Sequence, residues 1–148
     1  KFLMVGKGEN KKSMAYISNV VAFLEICIET KQKYGVYNYV DTPDLTMNEL
    51  VSQVKSELKG KSSIGPRLPY WFGLFIGYTA DLIAKLSGKN LPVSSIRVKK
   101  FASSTEFKSA KHSLDNFVAP FQLSDGVKRT LRSEFIVPDP NREIFYTE

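Results

Sequence analysis

Ser13-Met-Ala-Tyr-Ile-Ser-Asn-Val-Val-Ala-Phe-Leu-Glu-Ile-Cys-Ile-Glu29 opens with residues suited to extended backbone and passes into a run with helical periodicity. Ser18 or Asn19 is the N-cap that the run calls for, because a short polar side chain can accept from the first unpaired N–H groups of a helix. Val20, Leu24, Cys27 and Ile28 fall on one face, so Cys27 reads as core. Upstream, Phe2 to Val5 is a short apolar run closed by Gly6-Lys-Gly-Glu-Asn10, a strand followed by a turn. Downstream, Gly35 breaks the chain and Val36-Tyr-Asn-Tyr-Val40 has the β-branched and aromatic content of a strand, turned by Asp41-Thr-Pro-Asp44.

Thr46-Met-Asn-Glu49 has the form of a capping box and predicts a helix through Leu50, Val54 and Leu58 to Gly60. Residues 59–66 read as a loop. Pro69 suits the first turn of the next helix, which carries Trp71, Phe72, Leu74, Phe75, Tyr78, Leu82, Ile83 and Leu86 and stops near Gly88. Its glycines, Gly73 and Gly77, allow close backbone packing, and its apolar run reads first as a buried helix. Ser94 or Ser95 caps a segment through Phe101, residues 103–107 read as extended, Ser109 to Leu114 as a short helix, and Ser124 as the cap of a last helix ending near Ile136. The result is a helix-rich α/β chain with few short strands and an irregular tail over residues 138–148.

With 148 residues the expectation is one domain, and 43% apolar with 24% charged residues is the balance of a soluble folded chain. One cysteine closes no internal disulfide, and one histidine, His112, rules out a multi-histidine metal site. No residue is assigned a catalytic or metal-binding role. The surplus of 21 Lys and Arg over 15 Asp and Glu, a net charge of +6, favours anionic partners. The amino end lacks the apolar region and cleavage site of a secretory leader, so a cytoplasmic protein is expected. Because the chain starts at Lys1 inside an apparent strand, it is also expected to be a piece of something longer. The apolar run from Leu68 is interrupted at Asp81, short of the roughly 18 residues needed to span a bilayer.

Gly6-Lys-Gly-Glu-Asn-Lys-Lys-Ser13 imitates a phosphate loop, yet position 11 is Lys where both the Walker and the dinucleotide patterns need glycine. No tyrosine is followed four residues later by lysine. The basic groups Arg97/Lys99/Lys100, Lys108/Lys111 and Lys128/Arg129/Arg132 could follow a nucleic-acid backbone. They alternate with Glu57, Asp81, Glu106, Asp115 and Asp125, and the aromatic residues lie elsewhere, which disfavours nucleic acid.

In order, Gly6-Lys-Gly-Glu-Asn10, Ser13 to Ala22, Gly35-Val-Tyr-Asn-Tyr-Val-Asp41, Leu45-Thr-Met-Asn-Glu-Leu50 and Phe117 to Leu131 resemble the carboxy-terminal half of extended short-chain dehydrogenases. These form the NAD-dependent epimerase/dehydratase family, which acts on nucleotide sugars. The resemblance implies that residues 1–137 are the substrate-binding subdomain of a Rossmann-type enzyme whose amino-terminal NAD-binding domain is absent from this chain. It implies NAD chemistry for the full-length parent, none for this chain alone, and a nucleotide sugar as the parent's substrate. By the same resemblance Lys12 matches an arginine that contacts the diphosphate, and Arg97, with Lys99 as alternative, matches a second basic contact. Removing the other half would expose apolar helix faces, so pairing of two copies through Tyr70 to Tyr78 is expected. The readings from other classes are a stand-alone basic module for nucleic acid or another polyanion, and a module held on a membrane surface by the 68–80 segment.

Overall fold

The Thr46 capping box forms as the sequence predicts: Thr46 Oγ1 accepts from the Glu49 N–H at 3.2 Å, and the Glu49 carboxylate accepts from the Thr46 N–H at 2.8 Å. The computed structural model describes residues 3–30, 34–89, 91–109 and 117–140. In chain order these hold β1 (Met4–Val5), β2 (Lys11–Lys12), α1 (Ile17–Glu29), β3 (Leu45–Thr46), α2 (Met47–Lys59), β4 (Arg67–Leu68), α3 (Tyr70–Ser87), α4 (Ser95–Ala102) and α5 (Leu123–Leu131), the last running on as a π turn over Arg132–Ile136. The chain is therefore a helix-rich α/β structure with few short strands. β1 pairs in parallel with β4, β2 pairs antiparallel with β3, and Lys12 also bridges Thr105.

Two small cores hold these elements. Met4 of β1 packs with Met47 and Val51 of α2, with Leu50, Ile64 and Phe101 around them. The second is aromatic: Phe23 of α1 stacks on Tyr39 at 4.9 Å between centroids and meets Phe117 edge-on at 5.3 Å. Between α1 and α5 lies a polar node. Asn19 and Asp41 are 0% and 3% exposed, and the Asp41 carboxylate accepts from Asn19 Nδ2 at 2.9 Å, the Tyr39 hydroxyl at 2.6 Å and the Tyr16 N–H at 2.7 Å. Asn19 also spans to the turn before α5, donating to the Phe121 carbonyl at 2.8 Å and accepting from its N–H at 3.0 Å.

Several local expectations give way to tertiary packing. α1 starts after Tyr16 with no side-chain cap, because the Asn19 side chain is drawn inward to Asp41. Its buried face is Asn19 and Phe23, while Leu24 and Ile28 are exposed and Cys27 is half-buried at the lip of a groove with Val20 and Tyr37. Residues 36–40 form no ladder among the described residues; their aromatic rings pack on Phe23 and Phe117 instead. Ser124 lies inside the first turn of α5, whose cap position is Gln122. The short helix over 109–114, His112 and the tail from residue 141 lie outside the described residues. α3 has Pro69 at its cap position and Gly88, with φ +67°, at its end. It is not a buried helix: Gly73 and Gly77 face inward and most of its large side chains face out.

Replacing Asn19 by Leu takes one of three donors from the Asp41 carboxylate and the side-chain partners from the Phe121 N–H and carbonyl, and is expected to lower unfolding stability by about 2 kcal/mol in denaturant melts. Exposed Asn38→Ala should stay within about 0.5 kcal/mol. The hydrogen bonds from the Thr46 backbone and then its side chain hold the Glu49 carboxyl below the usual carboxylate range. Its stabilising contribution is therefore present above the unfolded carboxylate's value and is lost as pH falls through the lower folded value. The stability gap between the wild type and Glu49→Gln is expected to narrow over that acid interval, as read by thermal melts against pH.

Candidate functional site

The turn after β1 is shaped by what it packs against. Gly8 has φ +72°, and a Cβ built on it would come 2.2 Å from Asn48 Oδ1, so a side chain there meets both strain and collision. Asn48 donates from Nδ2 to the Lys7 carbonyl at 3.0 Å and from its backbone to the Gly8 carbonyl at 2.9 Å. The turn leads into β2, not into a helix. The first-turn N–H of α2 that reaches this turn, at Asn48, is taken up by the Gly8 carbonyl, so among the described residues the turn lacks the strand–turn–helix arrangement that receives a dinucleotide pyrophosphate. The Gly6–Gly8 turn does not fit the pyrophosphate of NAD.

The turn and β2 are spent on the far end of α4. Asn10 Nδ2 donates to the carbonyls of Phe101 and Ser103 at 2.9 and 3.1 Å, and Lys12 Nζ donates to the Lys100 carbonyl at 2.8 Å and to Thr105 Oγ1 at 3.4 Å. These are carbonyls that a helix C-terminus leaves without intrahelical partners, where a cation is also favoured by the helix dipole. The opposite end of α4 is capped by Ser94, whose Oγ accepts from the Arg97 N–H at 3.3 Å, and is tied to α3 by the Asp81 carboxylate accepting from the Ser95 N–H at 3.1 Å. α3 and α4 approach so closely because Gly77 meets the Ser95 backbone: a Cβ there would lie 2.7 Å from Ser95 Cα.

Arg97 stands on the first turn of α4 beside an apolar groove of about 580 Å³ walled by Val5, Leu68, Gly73, Ile76 and Phe101. One guanidinium nitrogen donates to the Pro92 carbonyl at 2.7 Å, which fixes the fork and leaves other N–H groups for an anion. Lys99, further along α4, sits over the Tyr78 ring with 5.2 Å from Nζ to the centroid. A hydrogen bond with the Tyr78 side chain is the first cause that raises its ammonium above the ordinary value. The three basic residues singled out in the sequence all bear on α4 but at different places: Lys12 of β2 secures its end, Arg97 lines the groove, and Lys99, two residues on, points to Tyr78 of α3. Of the α5 cations, Lys128 is 3.9 Å from Glu57 and Arg129 lies 4.4 Å over the Phe121 ring, so both serve internal contacts. Asn10 and Asn48, which shape the turn, escaped sequence reasoning because their partners are distant in the chain; Asn10 carried only its polarity two residues after Gly8, and Asn48 only its place inside the Thr46–Glu49 box.

No protein-family profile matches the chain. Among curated proteins it is 47% identical over 137 residues to the N-acetyl-α-D-glucosaminyl-diphospho-ditrans,octacis-undecaprenol 4-epimerase of Escherichia coli O157:H7. That epimerase is a member of the NAD-dependent epimerase/dehydratase family, and the chain is similar to it over nearly all of its own length. The alignment covers 92% of this chain and 41% of that relative, so the chain spans less than half the relative's length. In this chain β2 carries its lysine as a brace for α4. Lys12→Met is expected to loosen α4, costing about 0.5–1 kcal/mol and speeding amide exchange at residues 99–103 without altering α2.

Proposed function

We propose that the chain is the substrate-binding, carboxy-terminal part of an extended short-chain dehydrogenase of the epimerase type, and that the ligand it meets is a sugar carried on a diphosphate. The observation that carries this reading is the alignment with the E. coli epimerase, whose name states that its substrate is N-acetylglucosamine joined through a diphosphate to undecaprenol. A nucleotide sugar presents the same diphosphate-linked sugar, so the two sources share the chemistry a guanidinium can recognise. Bidentate donation to phosphate oxygens is the natural use of the Arg97 fork, for which Lys99 is the alternative, with the apolar groove beside Arg97 receiving the less polar portion of the ligand. Lys12 retains a third N–H beyond its two protein partners, so it can serve the diphosphate while it braces α4.

In the whole enzyme NAD supplies hydride transfer at the sugar. On this reading these residues bind and orient, and the chain turns over no substrate by itself. The polyanion alternative gains no support from α5, where Lys128 and Arg129 already have partners.

Equilibrium binding to the 148-residue chain tests the proposal, with uridine-diphosphate N-acetylglucosamine in one arm and a short-chain polyprenyl-diphosphate N-acetylglucosamine in the other. At least one arm should saturate, and Arg97→Ala should weaken it about tenfold or more, the loss of a charge-assisted pair. Binding in neither arm, or binding indifferent to Arg97, ends the reading. Preferential binding of duplex DNA with a steep salt dependence would replace it with the polyanion reading.

A further inference from the structure

The outward face of α3 is the largest feature the substrate reading does not use. Trp71, Phe75, Tyr78, Leu82 and Leu86 recur at helical spacing on one side of an 18-residue helix about 27 Å long. Trp71, Phe75 and Leu86 are 70%, 61% and 79% exposed, and Phe72, Ile76 and Ile83 widen the same face. The cause lies on the opposite side: only the stripe through Gly73 and Gly77 is packed, because those glycines bring Val5 and the Ser95 backbone into contact with the helix.

The charges around this face have one dominant sign. Lys85 and Lys89 stand exposed at the carboxy end. The acidic residue of α3, Asp81, is turned inward to the Ser95 N–H. No helix among the described residues is long and apolar enough to cross a membrane. Aromatic rings and aliphatic side chains on one face, edged by lysines, are the composition of a helix that lies in a membrane interface, with rings among the acyl boundary and ammonium groups at anionic headgroups.

The geometry points to α3 as a surface that docks the chain on an anionic bilayer, parallel to the membrane plane and without spanning it. Charge complementarity selects this occupant, because the lysines at the edge of the face match anionic headgroups. The inference goes beyond the substrate reading and stands apart from it, since it concerns lipid alone and no sugar.

Trp71 is the only tryptophan in the sequence, so its emission reports from the proposed face in the unaltered chain. With vesicles of phosphatidylcholine and phosphatidylglycerol the chain is expected to float, its emission to shift to the blue, and acyl-chain brominated lipid to quench it. Phosphatidylcholine alone should bind more weakly. Neutralising Lys85 and Lys89 to Gln should reduce partitioning about fivefold per residue on the anionic vesicles, with little change on the neutral ones. Phe75→Glu, at an exposed position where folding can be verified by circular dichroism, should abolish flotation. Unchanged emission with the anionic vesicles overturns the proposal. So does a dimer in sedimentation that Phe75→Glu dissolves while no flotation is seen, which assigns the face to a second copy. Loss of flotation in a longer polypeptide that contains the chain also overturns it, since that polypeptide's own surface then covers α3.

Discussion

The contact between Asn19 and Asp41 is the constraint from which much of the arrangement follows. A carboxylate that is 3% exposed has to be given donors by the fold, and here they come from α1, from the residue before it and from the aromatic segment leading into the turn. Asn19 then spends its remaining donor and its acceptor on the Phe121 backbone, so one amide joins three segments separated by 22 and 102 residues. An amide is suited to this, since it donates and accepts at once and carries no charge of its own. The aromatic cluster of Phe23, Tyr39 and Phe117 packs beside this node. Tyr39 belongs to both: its ring stacks on Phe23 and its hydroxyl is bonded to Asp41. Burial and the Asp41 hydrogen bond, in that order, push that phenol above its ordinary value, so it stays a donor across the range where the fold is stable.

What could be read from the sequence is what local chemistry decides. The Thr46 box, the glycine after α2, the glycine after α3 and the Ser94 cap all depend on neighbours within four residues, and all form where the pattern placed them. Residues 36–40 are the counterexample. Their composition favours a strand, but a strand exists only with a hydrogen-bonded partner, and in their place the structure presents Phe23 and Phe117, which reward aromatic packing without a ladder. Asn19 failed as a cap for a related reason. A buried carboxylate offers an amide more than an exposed helix end does, and nothing near Asn19 in the chain announces Asp41. Of the residues singled out for the candidate site, the helix that carries Arg97 and Lys99 was legible while the partner of each side chain was not. Lys12, Arg97 and Lys99 all bear on α4, yet which of them braces it and which lines the groove depends on carbonyls that only the folded chain brings into reach.

The orientation of α3 shows how little apolar content says about burial. Its side chains are apolar on nearly every side, so periodicity cannot choose a buried face; the two glycines four apart choose it. A Cβ at Gly73 would meet Val5 Cγ1 at 2.7 Å, and one at Gly77 would meet the Ser95 backbone, so the smallest residues of the helix are the ones that pack. Close approach on that stripe sets α4 against α3 and thereby sets Arg97 beside the groove. The same approach turns the rings of Trp71, Phe75 and Tyr78 away from the protein interior. The groove and the apolar face are therefore two sides of one packing decision. A substitution that enlarged either glycine would push α4 outward, disturb the Arg97 wall and change the exposure of α3 together.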